Sequence, residues 1–291
     1  MGQPFKLAEN IDKYLKFMTF VKSASPLTIK HYSLDLRQAF NYEKSSSSLS
    51  EAELLATARG AFNQWAHLSL ASRNRKAATL KSFFSWAFAE GLTERDLSLQ
   101  ITCPRVPKKI PHFLSVDEAL AVLKSFNTGA EASLKEKVLF LLLYGGGLRV
   151  SEACQLKWAQ VFTSQKVLRV TGKGSKERVI ALPSLTIQAL QAWKKQSGFS
   201  EFVFGEEPLN PRTAYDMVKI SGQRAGLLKP LHPHALRHSF ATHLLSSGAN
   251  LRTLQELLGH ESLQATEKYT HLGIDQLART MESMHPLGKR K

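Results

Sequence analysis

Residues 101–112, ITCPRVPKKIPH, constrain this chain more than any other stretch, because three prolines and three cations stand in one short segment. Each proline fixes φ, lacks an N–H and turns the residue before it away from the helical region, so neither a helix nor a central strand can run through. The segment reads as an extended linker, and 291 residues are enough for a domain on either side of it. The expected division is a first domain over 1–102, a basic linker over 103–112 and a second domain over 113–291. Arg105, Lys108 and Lys109 make that linker cationic. Two domains joined by it around a polyanion would form a clamp that holds its cargo electrostatically.

The pattern before the linker is helical throughout. Ile11, Tyr14, Leu15, Met18 and Val21 recur at three- and four-residue steps, and Ser25-Pro26 starts a second helix carrying Ile29, Tyr32, Leu36 and Phe40. Ser50 with Glu53 is a capping box ahead of Leu54, Leu55, Ala58, Phe62 and Trp65. A fourth helix runs from 72 towards Glu90 with Leu80, Phe83, Phe84 and Ala87 inward, and it stops at Gly91. Its basic start holds Arg73, Arg75, Lys76 and Lys81, which read either as a solvated face or as phosphate contacts.

After the linker, Ser115 and Glu118 form a second capping box, and 135–144 is a very apolar helix broken by Gly145-Gly146-Gly147. Residues 166–171 and 178–182 alternate as strands, and the turn GKGSKE between them makes an antiparallel hairpin. Helices are expected at 184–196, 211–225, 233–246, 251–258, 262–269 and 274–284. The fold expected is therefore mainly α, with one small antiparallel element in the second domain.

Charge narrows the function. Thirty-nine Lys and Arg against 24 Asp and Glu give a net +15, and a field of that sign gathers polyanions, nucleic acid first and an anionic membrane surface second. Cys103 and Cys154 stand too far apart in sequence for a disulfide framework or a cysteine zinc site and fit a reducing compartment. The first residues lack the apolar core of a signal peptide, and no apolar run is long enough to cross a bilayer. A cytoplasmic protein without a membrane partner is expected.

The stretch 233–269 concentrates the chemistry. Pro233 suits a first helical turn, and His234, Arg237 and His238 follow on one face, continued by Ala241 and Leu245. Leu236, Phe240 and Leu244 make a second apolar stripe, so the helix is largely buried and its cations must line a pocket or meet a partner. Several enzyme signatures fail here. The zincin pattern needs Glu after the first histidine and finds Ala235, and the GKGSK turn lacks both the first glycine and the hydroxyl residue of a phosphate-binding loop. No metal and no nucleotide cofactor is indicated.

Taken together, GLRVSE at 147–152, GKGSKER at 172–178, HALRHSFATHLL at 234–245, LGH at 258–260 and the tyrosine of KYTH at 269 resemble the tyrosine recombinases. More narrowly they resemble the Xer-type site-specific recombinases, and the resemblance covers nearly the whole chain. It implies a two-domain DNA clamp: an N-terminal helical, SAM-like core-binding domain and an α-rich catalytic domain with a small antiparallel sheet. By position it makes Arg149, Lys173, His234, Arg237, His260 and Tyr269 the catalytic set, with Glu152 in support. It further implies a 3′-phosphotyrosyl intermediate on double-stranded DNA, made without metal or ATP. The partners it implies are a homo- or hetero-tetramer with a related recombinase on two duplexes, and a cell-division DNA translocase. A dif-like site used to resolve chromosome dimers is the corresponding biological role.

Those residue types suit the reaction. A phosphodiester attacked by a phenol gains charge on its non-bridging oxygens, which the guanidiniums of Arg149 and Arg237 can each bind through paired N–H donors. His234 can take the phenol proton, Lys173 can protonate the departing 5′ oxygen, and His260 can add a donor to the phosphate. Singly, each has an ordinary explanation: Arg149 pairing with Glu152 on its own helix, Lys173 in a solvated turn, His234 and His238 in the core. Five boxes in order outweigh those coincidences. Two rivals remain, a type IB topoisomerase-like enzyme and a non-catalytic DNA-binding protein of the same fold. Ala265 and Gly145-Gly146 depart from the family's usual residues and bear on local geometry only. The apolar side of the helix at about 274–285 either folds back on its own core or, as the resemblance implies, exchanges into a neighbouring protomer.

Overall fold

The computed structural model describes residues 5–41, 48–107, 113–127, 131–171, 177–250 and 271–288. The chain divides into two compact units, Met1–Lys109 and Ile110–Lys291.

The first unit is built on four helices, α1 (Leu7–Phe20), α2 (Pro26–Phe40), α3 (Glu51–Gln64) and α4 (Leu70–Ala89). Its starts follow from side-chain caps. Ser25 accepts from the Thr28 N–H ahead of α2, Ser50 and Glu53 close the expected capping box, and Ser69 accepts from Ser72 N–H. That last cap starts α4 earlier than the basic run suggests. The region is not wholly helical, however. β1 (Phe5–Lys6) pairs antiparallel with β2 (Ser48–Leu49), and a 3₁₀ turn spans Leu97–Gln100. Strands of two residues are too short for alternation to reveal.

The core of this unit is aromatic, with Tyr14, Phe83 and Phe84 fully buried among Phe40 and Trp86. Beside it lies an ionic cluster. Asp35 of α2 is wholly buried and accepts from Lys76 Nζ at 2.9 Å, from Thr79 Oγ1 at 3.0 Å and from both terminal nitrogens of Arg75. Lys76 also donates to Gln38 and lies 4.7 Å above the Trp65 ring.

The second unit is organised around α6 (Glu131–Gly145), whose stretch from Val138 to Tyr144 is buried on every side. A helix apolar all round can only sit at a core's centre. α8 (Ser184–Ser197), α9 (Pro211–Arg224) and α10 (Pro233–Ser246) pack around it, while α5 (Val116–Lys124) packs on α9. The triple glycine gives these neighbours room. Gly147 has φ +62°, and a Cβ there would fall 2.5 Å from the Phe240 ring of α10. Only glycine allows that turn and that approach together.

After α7 (Val150–Cys154) comes a sheet of three strands, one more than the expected hairpin: β3 (Val161–Phe162), β4 (Val167–Thr171) and β5 (Glu177–Ala181). Leu168 opposes Ile180 and Val170 opposes Arg178, and all four are buried, so they share the core-facing side.

The last helix, α11 (His271–Met284), covers the segment for which both folding back and exchange are open. Its final turn docks on its own unit, with Met281, His285 and Leu287 buried in the core. Glu282 supplies the N-cap that α8 lacks, accepting from Ser184 N–H at 3.0 Å and Ser184 Oγ at 2.8 Å. His285 joins Tyr144 O through Nε2 at 3.1 Å, and its Nδ1 accepts from Leu287 N–H. Leu287 lies against Gly145, where a Cβ would come within 3.3 Å of it and 2.7 Å of Thr186. The short helices expected at 251–258 and 262–269 lie outside the described residues.

Candidate active site

Glu152 is the point on which the site converges. It sits in the first turn of α7, and its Oε2 accepts the backbone N–H of Arg149 at 2.8 Å, closing the turn that follows Gly147. The Arg149 side chain donates to Oε1 at 2.9 Å. The ordinary pairing considered for Arg149 is therefore real, yet its side chain remains 44% exposed. Arg178 reaches in from β5 and donates through both terminal nitrogens, to Oε1 and Oε2, at 2.8 Å each. Arg237 of α10 lies 4.0 Å from Oε2 and donates to the Gly147 carbonyl.

Three guanidiniums thus face one carboxylate, with side-chain exposures of 44% for Arg149, 8% for Arg178 and 12% for Arg237. The surplus of two positive charges is what an anion would meet. Burial pushes the Glu152 pKa up, but the hydrogen bonds and charge of Arg178, then the backbone and side chain of Arg149, bring it down to about 2. Burial lowers Arg237 to about 10, Arg149 and Arg178 push it the same way and Glu152 opposes them. Both groups stay charged at neutral pH.

α10 is fixed by groups that do not themselves face the site. Tyr144 Oη and His243 Nδ1 are 2.8 Å apart, and Ser239 Oγ accepts from Leu114 N–H at 2.8 Å while donating to Ala235 O. Burial raises the Tyr144 pKa and lowers that of His243, so a neutral phenol meets a neutral imidazole. His232 caps the helix, its Nδ1 accepting from Ala235 N–H at 3.0 Å. His234 stands exposed in the first turn and Arg237 follows one turn later. His238 meets the Phe113 ring edge-on. The core histidines are His243 and His285, not His234 and His238.

Of the expected catalytic set, the fold brings together Arg149 and Arg237 around Glu152 and places His234 on the helix that carries Arg237. Lys173, His260 and Tyr269 lie outside the described residues, as do Lys108 and Lys109. In the first unit Arg75, Lys81 and Arg105 are exposed and Arg73 is partly buried. Lys76 is corrected: its ammonium is spent on Asp35 and Gln38 inside the unit and is unavailable to a surface ligand. Arg178 is the site residue that motif reading left without a role. Its signal was a cation two residues before Ile180, on the inward register of a strand. Among the described residues no three His, Cys, Asp or Glu side chains gather as metal ligands do, and no helix is long and apolar enough to cross a membrane.

Sequence comparison matches residues 112–274 to the phage integrase family and residues 11–91 to the phage integrase N-terminal SAM-like domain. A protein of Myxococcus xanthus described as tyrosine recombinase XerC is 33% identical over 96% of this chain and 98% of its own length. Two solved structures share the fold. A lambda integrase tetramer bound to a Holliday junction has a TM-score of 0.67 at 20% identity, covering 91% of this chain and 80% of that one. XerH site-specific recombinase bound to difH substrate has a TM-score of 0.63 at 24% identity, covering 91% of this chain and 81% of that one.

Proposed function

This chain belongs to the phage integrase family of tyrosine-type DNA strand transferases, and on that footing we propose that Arg149 and Arg237 bind one DNA phosphate, which Tyr269 attacks. The observation carrying this reading is the gathering of Arg149, Arg178 and Arg237 on Glu152, which leaves two positive charges in surplus.

The phenol oxygen of Tyr269 forms a bond to phosphorus as the bond to the 5′ oxygen breaks. His234 takes the phenol proton and Lys173 supplies one to the leaving oxygen, giving a 3′-phosphotyrosyl link and a free 5′-hydroxyl. His260 adds a donor to the phosphate. The phosphotyrosyl ester conserves the phosphodiester's bond energy, so a second 5′-hydroxyl reverses the step and reseals the strand. Guanidiniums preset around Glu152 stabilise the extra charge of the transition state with little reorganisation. Arg105, Lys108 and Lys109 of the linker and Arg73, Arg75 and Lys81 of the first unit supply backbone contacts.

Site-specific recombination by such an enzyme proceeds through a multimer, and we read the chain as one of four protomers, like or related, on two duplexes. A dif-like chromosomal site, used in the cytoplasm to resolve chromosome dimers under a cell-division translocase, is the role that fits Xer-type relatives. The test is a nicked suicide duplex carrying candidate sites. A covalent protein–DNA adduct that disappears in Tyr269→Phe is expected. A protein that binds the duplex and forms no adduct is the non-catalytic alternative, and relaxation of supercoils without synapsis is the topoisomerase one.

A further inference from the structure

We propose that Arg178 is a positioning residue of the strand-transfer site: it takes up the charge of Glu152, so that Arg149 and Arg237 are oriented by that carboxylate without being neutralised by it. The inference rests on the reading that Arg149 and Arg237 bind the scissile phosphate.

The geometry separates two tasks. Glu152 accepts four hydrogen bonds, two from Arg178 and two from Arg149. Arg178 commits its whole fork, one nitrogen to each oxygen, whereas Arg149 commits one terminal nitrogen and its backbone N–H. The first arrangement fixes the carboxylate plane. The second borrows that plane to aim a side chain that stays 44% exposed. A bidentate fork is the geometry that immobilises a carboxylate best.

Charge makes the same point. Without Arg178, one carboxylate would face Arg149 and Arg237 alone, and their net charge would fall from two to one. Buried between α7 and the sheet, the Glu152–Arg178 pair is 7% and 8% exposed. Desolvation at that depth offsets most of the attraction, so the pair's contribution to stability is small compared with an apolar replacement. Arg178 also keeps Nε buried and without a hydrogen-bond partner among the described residues, a further cost. Its register matters too. Arg178 occupies the core-facing place opposite Val170, where an aliphatic side chain would serve the fold as well as Leu168 and Ile180 do. A cation kept there at a cost is explained by what it does for Glu152. Finally, β5 begins four residues after Lys173 in sequence, so the same strand that follows the proposed acid is tied to the turn that carries Arg149.

The test compares wild type, Arg178→Met, Arg178→Lys and the double variant Arg178→Met/Glu152→Gln for adduct formation on the suicide duplex. Melting and duplex affinity are measured beside it. Arg178→Met is expected to bind duplex DNA within about threefold of wild type and to form adduct about 100-fold more slowly. Adding Glu152→Gln should recover about tenfold of that loss, because the uncompensated carboxylate is gone. Protonation should do the same. With Arg178 absent, Glu152 faces only Arg149 of its own turn and Arg237 of α10, and its pKa rises, so the variant-to-wild-type rate ratio should climb as pH falls towards 5. Arg178→Lys, which keeps the charge and loses the fork, covers the case in which the methionine variant does not fold and should lose about tenfold at normal melting. Wild-type rates in Arg178→Met or Arg178→Lys, or a loss that tracks the unfolded fraction with no recovery by Glu152→Gln or acid, overturn the proposal. Absence of adduct from wild type would instead overturn the strand-transfer reading beneath it.

Discussion

Asp35 and Glu152 are both buried carboxylates under more than one cation, yet their surroundings differ in kind. The donors to Asp35, namely Arg75, Lys76 and Thr79, all come from α4, so the acid on α2 staples one helix to another. The cations around Glu152 come from α7's own start, from β5 and from α10. Arg75 spends both ends of its fork on Asp35, whereas Arg149 gives Glu152 only one. Both clusters carry an excess of positive charge, one at Asp35 and two at Glu152. Counting the elements that converge, and the donors still uncommitted, separates a brace from a binding site.

The sharpest way to break that comparison is to remove each carboxylate. Asp35→Ala strands Lys76 in the first unit and Glu152→Ala strands Arg178 in the second, and each should cost roughly 3–5 kcal/mol in urea unfolding. Their activities should part. At saturating duplex and a temperature where both variants stay folded, Asp35→Ala should form the covalent adduct near the wild-type rate, and Glu152→Ala should lose it. Should Asp35→Ala fold normally and still fail to react, the brace would have to be counted part of the site.

Acid offers a second, smaller separation within the catalytic unit. His285 is held neutral, with Nε2 paired to the Tyr144 carbonyl and Nδ1 accepting from Leu287, and burial lowers its pKa to about 3. A depressed folded pKa means the unfolded chain takes the proton first. Stability from His285 is complete above its unfolded value of 6.5 and declines as pH falls towards about 3, by up to roughly 1.4 kcal/mol per pH unit. Glu152, at about 2 against 4.5 unfolded, adds its own decline only below about 4.5. Unfolding free energies of the catalytic unit between pH 7 and 3 should therefore slope in two stages. His285→Gln should reduce the slope of the upper one, to which His243 also contributes, and Glu152→Gln should reduce that of the lower. A flat profile from pH 6.5 to 4.5 in the unaltered protein would contradict the buried neutral imidazole.

How much of this was readable beforehand follows the range over which each signal acts. The caps at Ser25, Ser50 and Ser115 are local hydrogen bonds within three residues, and each formed where the pattern placed it. The apolar run of α6 and the Arg149–Glu152 spacing are equally local. What escaped is what the tertiary fold decides. Lys76 looks like its neighbours in a basic run, and only the approach of α2 turns it inward to Asp35. Arg178 was quoted within a motif, but its role depends on a carboxylate 26 residues away. His243 carries no local signal of its own, and its role appears only when Tyr144 arrives from α6. For the end of α11 both folding back and exchange were open, and its docking here turns on a gap left by Gly145, a contact no periodicity encodes.

The smallest effect tests the brace from the other side. If Lys76 serves Asp35 alone, then Lys76→Met should leave duplex affinity within about twofold and leave the salt slope unchanged, because a buried ammonium releases no counterion. Lys81 is exposed on the same helix, so Lys81→Ala should weaken binding a few-fold on any sequence and reduce the slope by about one if it meets a phosphate. Titrations of a duplex between low and moderate salt measure both quantities at once. Equal slopes lost in the two variants would place Lys76 at the DNA, which requires α2 and α4 to part and Asp35 to surrender its partner on binding. An unchanged slope in both would leave the α4 surface out of the DNA contact and put the burden of backbone binding on Arg105 and the rest of the linker.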